Sequence, residues 1–177
     1  MFERVLPFVS PTIAVVLASE RWHCEGSRSL RRQVFVAEQG VFANDDRDQH
    51  DQHALTIVAL SVVAGMHDRV IGTVRIYEDA GRVWYGGRLA VAAEYRRYSR
   101  VGERLTVAAV STARHHAAAR FLATVQEANV AFFERQQFRL LAPLSLHGRA
   151  HALMEAELGS FPLAHALLPA HAVTSAA

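Results

Sequence analysis

Trp84 to Leu105 reads W-Y-G-G-R-L-A-V-A-A-E-Y-R-R-Y-S-R-V-G-E-R-L, and its hydrophobic period changes in the middle. Trp84 to Val91 carries aromatic and β-branched residues and ends on the apolar Leu89-Ala90-Val91, which predicts a strand. Arg100 to Ala117 repeats Val101, Leu105, Ala108 and Val110 at helical spacing, which predicts a helix. The loop between them holds Arg96, Arg97 and Arg100, and Gly102 falls in the first helical turn. A loop that opens a helix presents free backbone N–H groups and the positive end of the helix dipole. Arginines beside it add fork-shaped charged donors, so the junction is a candidate anion site, with phosphate the best-suited anion. The plainer reading is an exposed basic loop that caps a helix.

Outward from this junction, the chain has 177 residues, about half of them hydrophobic. That is enough for one domain with a real core, and it argues against global disorder. All 19 basic residues are Arg, which we read as compositional bias, and the formal net charge is only +2. The high isoelectric point therefore does not indicate nucleic acid. Cys24 is the one cysteine, so the chain has no intramolecular disulfide or cysteine metal cluster, and a reducing cytoplasm suits it. Val5 to Ala18 is apolar, but Pro7 and Pro11 interrupt it and Glu3 precedes it. We take 1–11 as a leader segment, 12–158 as the domain and 159–177 as a loosely ordered tail. No apolar run is long enough for a membrane-spanning helix.

In order, the pattern predicts a strand at Thr12–Ala18, a helix at Arg28–Gln39 stopped by Gly40, and a polar loop at Asn44–His53. Strands follow at Ala54–Ala64, Val70–Tyr77 and Trp84–Val91, in a meander turned at Gly65–Asp68 and Ala80-Gly81. After the Arg100–Ala117 helix come a strand at Phe121–Val125, a short helix at Asn129–Arg135 and a strand at Arg139–Leu144. His151–Leu158 reads as a further helix, which would put His147 and His151 one turn apart. The result is an α/β fold with a mixed, mostly antiparallel central sheet flanked by helices, ordered strand, helix, three strands, helix, strand, helix, strand.

L-A-V-x-x-E-Y-R-R-x-x-R-V-G-E-R-L, from Leu89 to Leu105, resembles the acetyl-CoA-binding motif of GNAT acyltransferases, Arg/Gln-x-x-Gly-x-Gly/Ala. Arg97 takes its first position and Gly102 its last, while Arg100 stands where the family usually has its first glycine. The element order from Thr12 to Leu144 is also that of GNAT proteins. Leu30 to Phe42, Asp46-Arg47-Asp48-x-x-Asp51, Val70 to Ile76, Val125 to Phe133 and Gly148 to Leu158 resemble a GNAT branch of nitrogen-starvation and nitrilase gene clusters. More distantly, Arg31, Phe35, Asp48, Asp51, Arg75 and Arg88 resemble the charged framework of acyl-homoserine-lactone synthases.

The resemblance implies acetyl-CoA, or another acyl-CoA, as co-substrate, with no metal. It assigns cofactor binding to Leu89, Ala90, Val91, Arg96, Arg97, Tyr98, Ser99, Arg100, Val101, Gly102, Glu103, Asn129 and Phe133. Backbone N–H groups of Leu89 to Val91 would bind pantetheine and the thioester carbonyl. It assigns the acceptor pocket to Arg31, Phe35, Glu38, Asp48, Asp51, Arg75 and Arg88, and His151 with Met154 would close over it. Phe133 falls at or near the position where many family members have a proton-donating Tyr, and Gln137 replaces a usual glycine. Phenylalanine cannot donate a proton.

Glu38, Asp48, Asp51, Tyr85 and Glu127 are candidate bases by type, and water relay is the alternative. The Asp45-to-His53 cluster has donors that suit a metal but lacks the ordered loop of an EF-hand, so ion pairing of Asp48 and Asp51 with Arg31 and Arg75 is preferred. Three functions stay open: an N-acyltransferase acting on a small-molecule amine, a non-catalytic acyl-CoA-binding module, and lactone-synthase-like chemistry. The last would need an acyl-carrier-protein donor and a glutamate near Tyr85. The expected partner is the amine alone, without nucleic acid or membrane, with a homodimer left open.

Overall fold

The computed structural model describes residues 8–97 and 100–163. The expectations for most of the leader, for Tyr98 and Ser99, and for the tail from residue 164 lie outside the described residues. One sheet of seven strands organises the chain: β1 (Ile13–Leu17), β2 (Leu55–Val63), β3 (Met66–Asp79), β4 (Val83–Val91), β5 (Arg120–Gln126), β6 (Phe138–Leu146) and β7 (Arg149–Ala156). Their order across the sheet is β1-β2-β3-β4-β5-β7-β6, and only the β4–β5 pair is parallel. The helices are α1 (Arg21–Arg31), α2 (Val101–His115) and the short α3 (Val130–Glu134).

Two expectations needed correction. The first helix begins at Arg21, not Arg28, and continues from Arg32 to Glu38 as a π-helical turn in which Gln39 N–H reaches the Val34 carbonyl at 3.0 Å. The extra turns carry no apolar stripe. His23 and Ser27 are their buried residues, Ser27 bonding Thr73 at 2.7 Å, and Gly26 packs on Val70. A reading based on apolar period misses a helix that buries polar groups.

The second correction is larger, because His151–Leu158 is not a helix but lies mostly in β7. Ala, Leu, Met and Glu are good helix formers. Here β5 and β6 pair with the segment on both sides, and tertiary pairing overrides the weak local preference. A two-residue turn, His147-Gly148, joins β6 to β7 with positive φ at both positions, the hairpin geometry that glycine eases. His147 and His151 thus sit at a hairpin tip and on a strand.

The core lies on both sheet faces, with Ile57, Leu60, Ile71 and Ile76 fully buried in the central strands and Val101, Leu105 and Val110 beneath α2. Each such side chain contributes about 1.5–3 kcal/mol on burial. Ser10 is already part of this body, its N–H donating to the Tyr95 hydroxyl at 2.9 Å and its hydroxyl to the Val62 carbonyl. Phe161 packs edge-on against Phe138 and is buried.

Gly72 fixes how closely α2 approaches the sheet. A Cβ there would lie 2.6 Å from Val101 Cγ1, 2.8 Å from Leu105 Cδ1 and 3.3 Å from Ala59 Cβ. We expect Gly72→Ala to destabilise the fold by about 1–3 kcal/mol in urea denaturation, through overpacking. An unchanged midpoint would show that α2 yields freely.

Candidate functional site

β4 and β5 pair only from Val83 to Gly86 and from Arg120 to Ala123. Past that point β5 pairs with β7 and β4 with β3, so the two strands separate. Two sequence features sit where they part. Gly86 has no side chain because the Phe121 ring would lie 2.7 Å from a Cβ. Arg88 has φ of 54° inside a bulge that puts one extra β4 residue opposite β3. A bulge bends a strand and re-aims its side chains.

Ala92 N–H donates to the Ile71 carbonyl at 2.8 Å. The alternation of an antiparallel ladder then turns the Ala90 peptide toward β3 and those of Leu89 and Val91 toward the gap. The Val91 carbonyl accepts from Arg96 Nε at 2.9 Å.

The gap opens into a cavity of about 830 Å³, a size suited to a small-molecule ligand. One side is bordered by Arg96, Arg97, Arg100, Gly102, Glu103 and Thr106, where α2 begins. The first helical bond of α2 runs from Arg104 N–H to the Arg100 carbonyl, so the N–H groups of Val101, Gly102 and Glu103 have no partner within the helix. Arg100 adopts the left-handed conformation, φ 50° and ψ 30°, which explains why a glycine suits this position. Its guanidinium pairs with Glu103. Phe132 closes over the start of α2, its ring 3.3 Å from where a Gly102 Cβ would be. Asn129 and Phe133 line the cavity beside it, Phe133 edge-on to Phe132 and Phe138.

The other side is aromatic and charged. His50 stacks on Tyr77 at 4.1 Å, and Tyr77 on Tyr85 at 5.6 Å. Phe42 lies between the Arg88 guanidinium at 4.8 Å and the His147 ring at 4.9 Å. Behind them three arginines meet three aspartates. Arg31 donates to Asp46 at 2.7 Å and to both oxygens of Asp51 at 2.6 and 3.1 Å. Arg75 donates to Asp48 at 2.7 and 2.9 Å and to Asp51 at 2.8 Å. Arg88 reaches the Asp46 carbonyl at 2.8 Å and Asp48 at 3.1 Å. Arg31, Arg75 and Asp46 are each less than 5% exposed. Burial opposes ionisation of Asp51, but the bonds from Arg31 and the Asp48 N–H outweigh it and hold its carboxyl at about 2. Burial likewise opposes ionisation of Asp48, and the bonds and charge of Arg75 chiefly outweigh it, so its carboxyl is lowered. Burial, reinforced by Arg75, lowers the Arg88 guanidinium, and burial raises the Tyr77 phenol.

Of the sequence candidates, Leu89, Ala90, Val91, Arg96, Arg97, Arg100, Gly102, Glu103, Asn129 and Phe133 line the cavity, as do Phe35, Asp48, Arg75, Arg88 and Tyr85. Val101 instead buries its side chain in the core. Glu38 is not on the cavity wall; it accepts from Arg96 at 2.5 Å. Glu127 is exposed and also off the wall. Arg31 and Asp51 sit behind it, bordering a second hollow of about 710 Å³. Sequence reasoning left Asp46 out of the site set although it is the most buried carboxylate of the knot. It also passed over Phe42, His50, Tyr77 and Thr124 as cavity wall; alternation with the neighbouring β3 and β5 residues was the available signal for the last two.

The sequence matches the model of the Acetyltransferase (GNAT) family over residues 19–138. A comparison with curated proteins finds no match to the chain. Among solved structures, a protein from Lactobacillus plantarum assigned as an N-acetyltransferase superposes with a TM-score of 0.73 at 22% identity, covering 82% of this chain and 98% of that one. Escherichia coli ElaA gives 0.68 at 20%, covering 82% and 99%. BjaI, a CoA-dependent acyl-homoserine lactone synthase solved with SAM and isopentyl-CoA, gives 0.64 at 17%, covering 84% of each chain.

The folded Asp51 carboxyl sits at about 2 against an ordinary 3.8. Its stabilising contribution is therefore complete above pH about 4 and is lost as the pH falls toward 2. Asp51→Asn should lower stability at pH 7 by on the order of 2–3 kcal/mol and flatten the loss between pH 4 and 2. Thermal melts across that range test it, and wild-type melts at every pH would remove the knot from the stability of the fold.

Proposed function

The chain belongs to the GNAT acetyltransferase family, and from that premise we propose that it transfers the acyl group of acetyl-CoA, or of another acyl-CoA, to a small-molecule amine. One observation carries this: the β4–β5 gap, with unpaired strand peptides along it and the start of a helix at one mouth. A thioester threaded through the gap would have its carbonyl oxygen within reach of N–H groups at Leu89 and Val91, which stabilise the charge that develops on it. The pyrophosphate would lie against the N–H groups of Val101 to Glu103, flanked by Arg97 and Arg100. The amine enters from the aromatic side, beyond Phe42 and Tyr85. Its nitrogen bonds to the carbonyl carbon, the C–S bond breaks, and one proton leaves nitrogen while one is taken up by the thiolate. This chemistry calls for no metal, nucleic acid or membrane, and we assign the protein to the cytoplasm. Among the described residues no helix is long and apolar enough to cross a membrane.

Phe133 supports a second reading, an acyl-CoA-binding module without turnover. Its ring is packed among Phe132 and Phe138 and supplies no acid for the leaving thiolate. The arginine–aspartate framework supports a third, lactone-synthase-like acyl transfer. BjaI is described as CoA-dependent, so a carrier-protein donor is not a general requirement of that chemistry, but Tyr85 stands where the resemblance calls for glutamate.

Calorimetric titration with acetyl-CoA and CoA, paired with a free-thiol assay over an amine panel, separates these. Binding with thiol release on one amine class is the expected result. Binding without release supports the module, and absence of binding removes both. Gly102→Glu should weaken acetyl-CoA affinity by on the order of tenfold or more, because a carboxylate would face the pyrophosphate and the Phe132 ring crowds the new side chain. Phe133→Tyr should hold or raise turnover; collapse with an intact fold would mean that the ring is needed for packing alone.

A further inference from the structure

Acyl transfer to an amine needs a base that is unprotonated, strong enough to hold a proton near neutral pH, oriented and open to the reacting nitrogen. Asp48 and Asp51 fail this requirement, because Arg75 and Arg31 occupy their oxygens and lower their proton affinity. Glu38 is ion-paired to Arg96, and neither it nor Glu127 borders the cavity. Tyr85 lies stacked under Tyr77.

His151 meets the requirement from a strand whose place the sequence did not reveal. β7 sets it beside Gln126 at the end of β5, next to the open gap, and it lines the cavity at 9% exposure. Its Nδ1 lies 2.9 Å from the Arg149 carbonyl. A carbonyl oxygen only accepts, so Nδ1 carries the hydrogen and the neutral ring presents a lone pair at Nε2. Among the described residues nothing hydrogen-bonds to Nε2. The Arg149 carbonyl is itself fixed, because the Arg149 guanidinium donates to the Gln39 carbonyl at 2.8 Å and His147 packs on Phe42 at the hairpin tip. His50, a half-buried histidine of the cavity, differs: its Nδ1 is buried without a partner and its ring face is covered by Tyr77.

We infer that His151 is the general base that takes the proton from the acceptor amine, an assignment that rests on the acyl-transfer reading above. Nε2 removes one proton as the nitrogen bonds to the thioester carbon. The C–S bond breaks, and the imidazolium returns that proton to the thiolate through cavity water, which replaces the donor that Phe133 cannot be. The groups that share this end of the cavity and could alter its charge state are His147 and Arg149 on its own hairpin, Arg88 on β4, Arg75 on β3, and Asp48 and His50 on the preceding loop. Its partners across the ladder, Gln126 and Leu144, are uncharged.

The test is His151→Asn, whose amide nitrogen can keep the bond to the Arg149 carbonyl while nothing basic stands at Nε2. His151→Gln serves as a second variant, and thermal melts report folding. Acetyl-CoA affinity should stay at the wild-type value, while kcat/KM for the amine falls about 10²–10⁴-fold. The acid limb of the wild-type pH profile should vanish in both variants and persist in His50→Gln, whatever that variant's rate. Long-range ¹H–¹⁵N spectra of the wild type should show His151 protonated at Nδ1. Thiol release and an acid limb that survive both substitutions, or a ring protonated at Nε2 alone, overturn the base assignment only. Wild-type protein that binds acetyl-CoA but releases no thiol with any amine overturns the transfer reading and the base together.

Discussion

The separation of β4 from β5 is the constraint on which the rest of the structure depends. A parallel pair that ran its full length would bury the peptide groups of Gly87 to Val91 in ordinary ladder bonds and leave no passage through the sheet. Three local facts keep it open. Phe121 fills the space over Gly86 at the last pair, the Arg88 bulge bends β4, and β7 takes up the outer edge of β5 so that β5 keeps a partner when it leaves β4. Strained, left-handed Arg88 costs on the order of 1–3 kcal/mol, and its guanidinium bonds to Asp46 and Asp48 hold it there.

The charged knot behind the bulge ties parts of the chain that are distant in sequence. Arg31 comes from α1, Arg75 from β3, Arg88 from β4, and the three aspartates from one loop. Burying unpaired charges is strongly unfavourable, and pairing them roughly offsets that cost without a large net gain. Their contacts tie the 44–53 loop to α1, β3 and β4, and His50 of that loop lines the cavity.

Departures from the family pattern have physical reasons. Arg100 takes the left-handed backbone that glycine would take without strain, and Gln137 does the same at φ 62°, where its carbonyl accepts from Glu157 N–H at 2.9 Å. Both positions keep the conformation and change only the side chain. The Phe133 ring belongs to an aromatic group that reaches through Phe138 to the Phe161 ring, which couples this wall of the cavity to the packing of the last described residues.

The local pattern by itself determined the strand-to-helix junction at Trp84–Leu105, the meander before it and the alternation of elements up to Leu144, because periodicity and turn residues are properties of short stretches. The family resemblance, together with the need of partly buried charges for counterions, pointed to Asp48 and Asp51 as partners of Arg31 and Arg75. The local pattern did not reveal the early turns of α1, whose buried residues are polar, nor β7, whose helix-forming residues are overruled by strands on both sides. What only the tertiary structure decided follows from that. The strand pairing of β7 turns His151 toward the cavity, and the hairpin carbonyl chooses its tautomer. Those outcomes depend on which backbone group lies opposite a side chain across a sheet, a relation between residues far apart in sequence that no local period records.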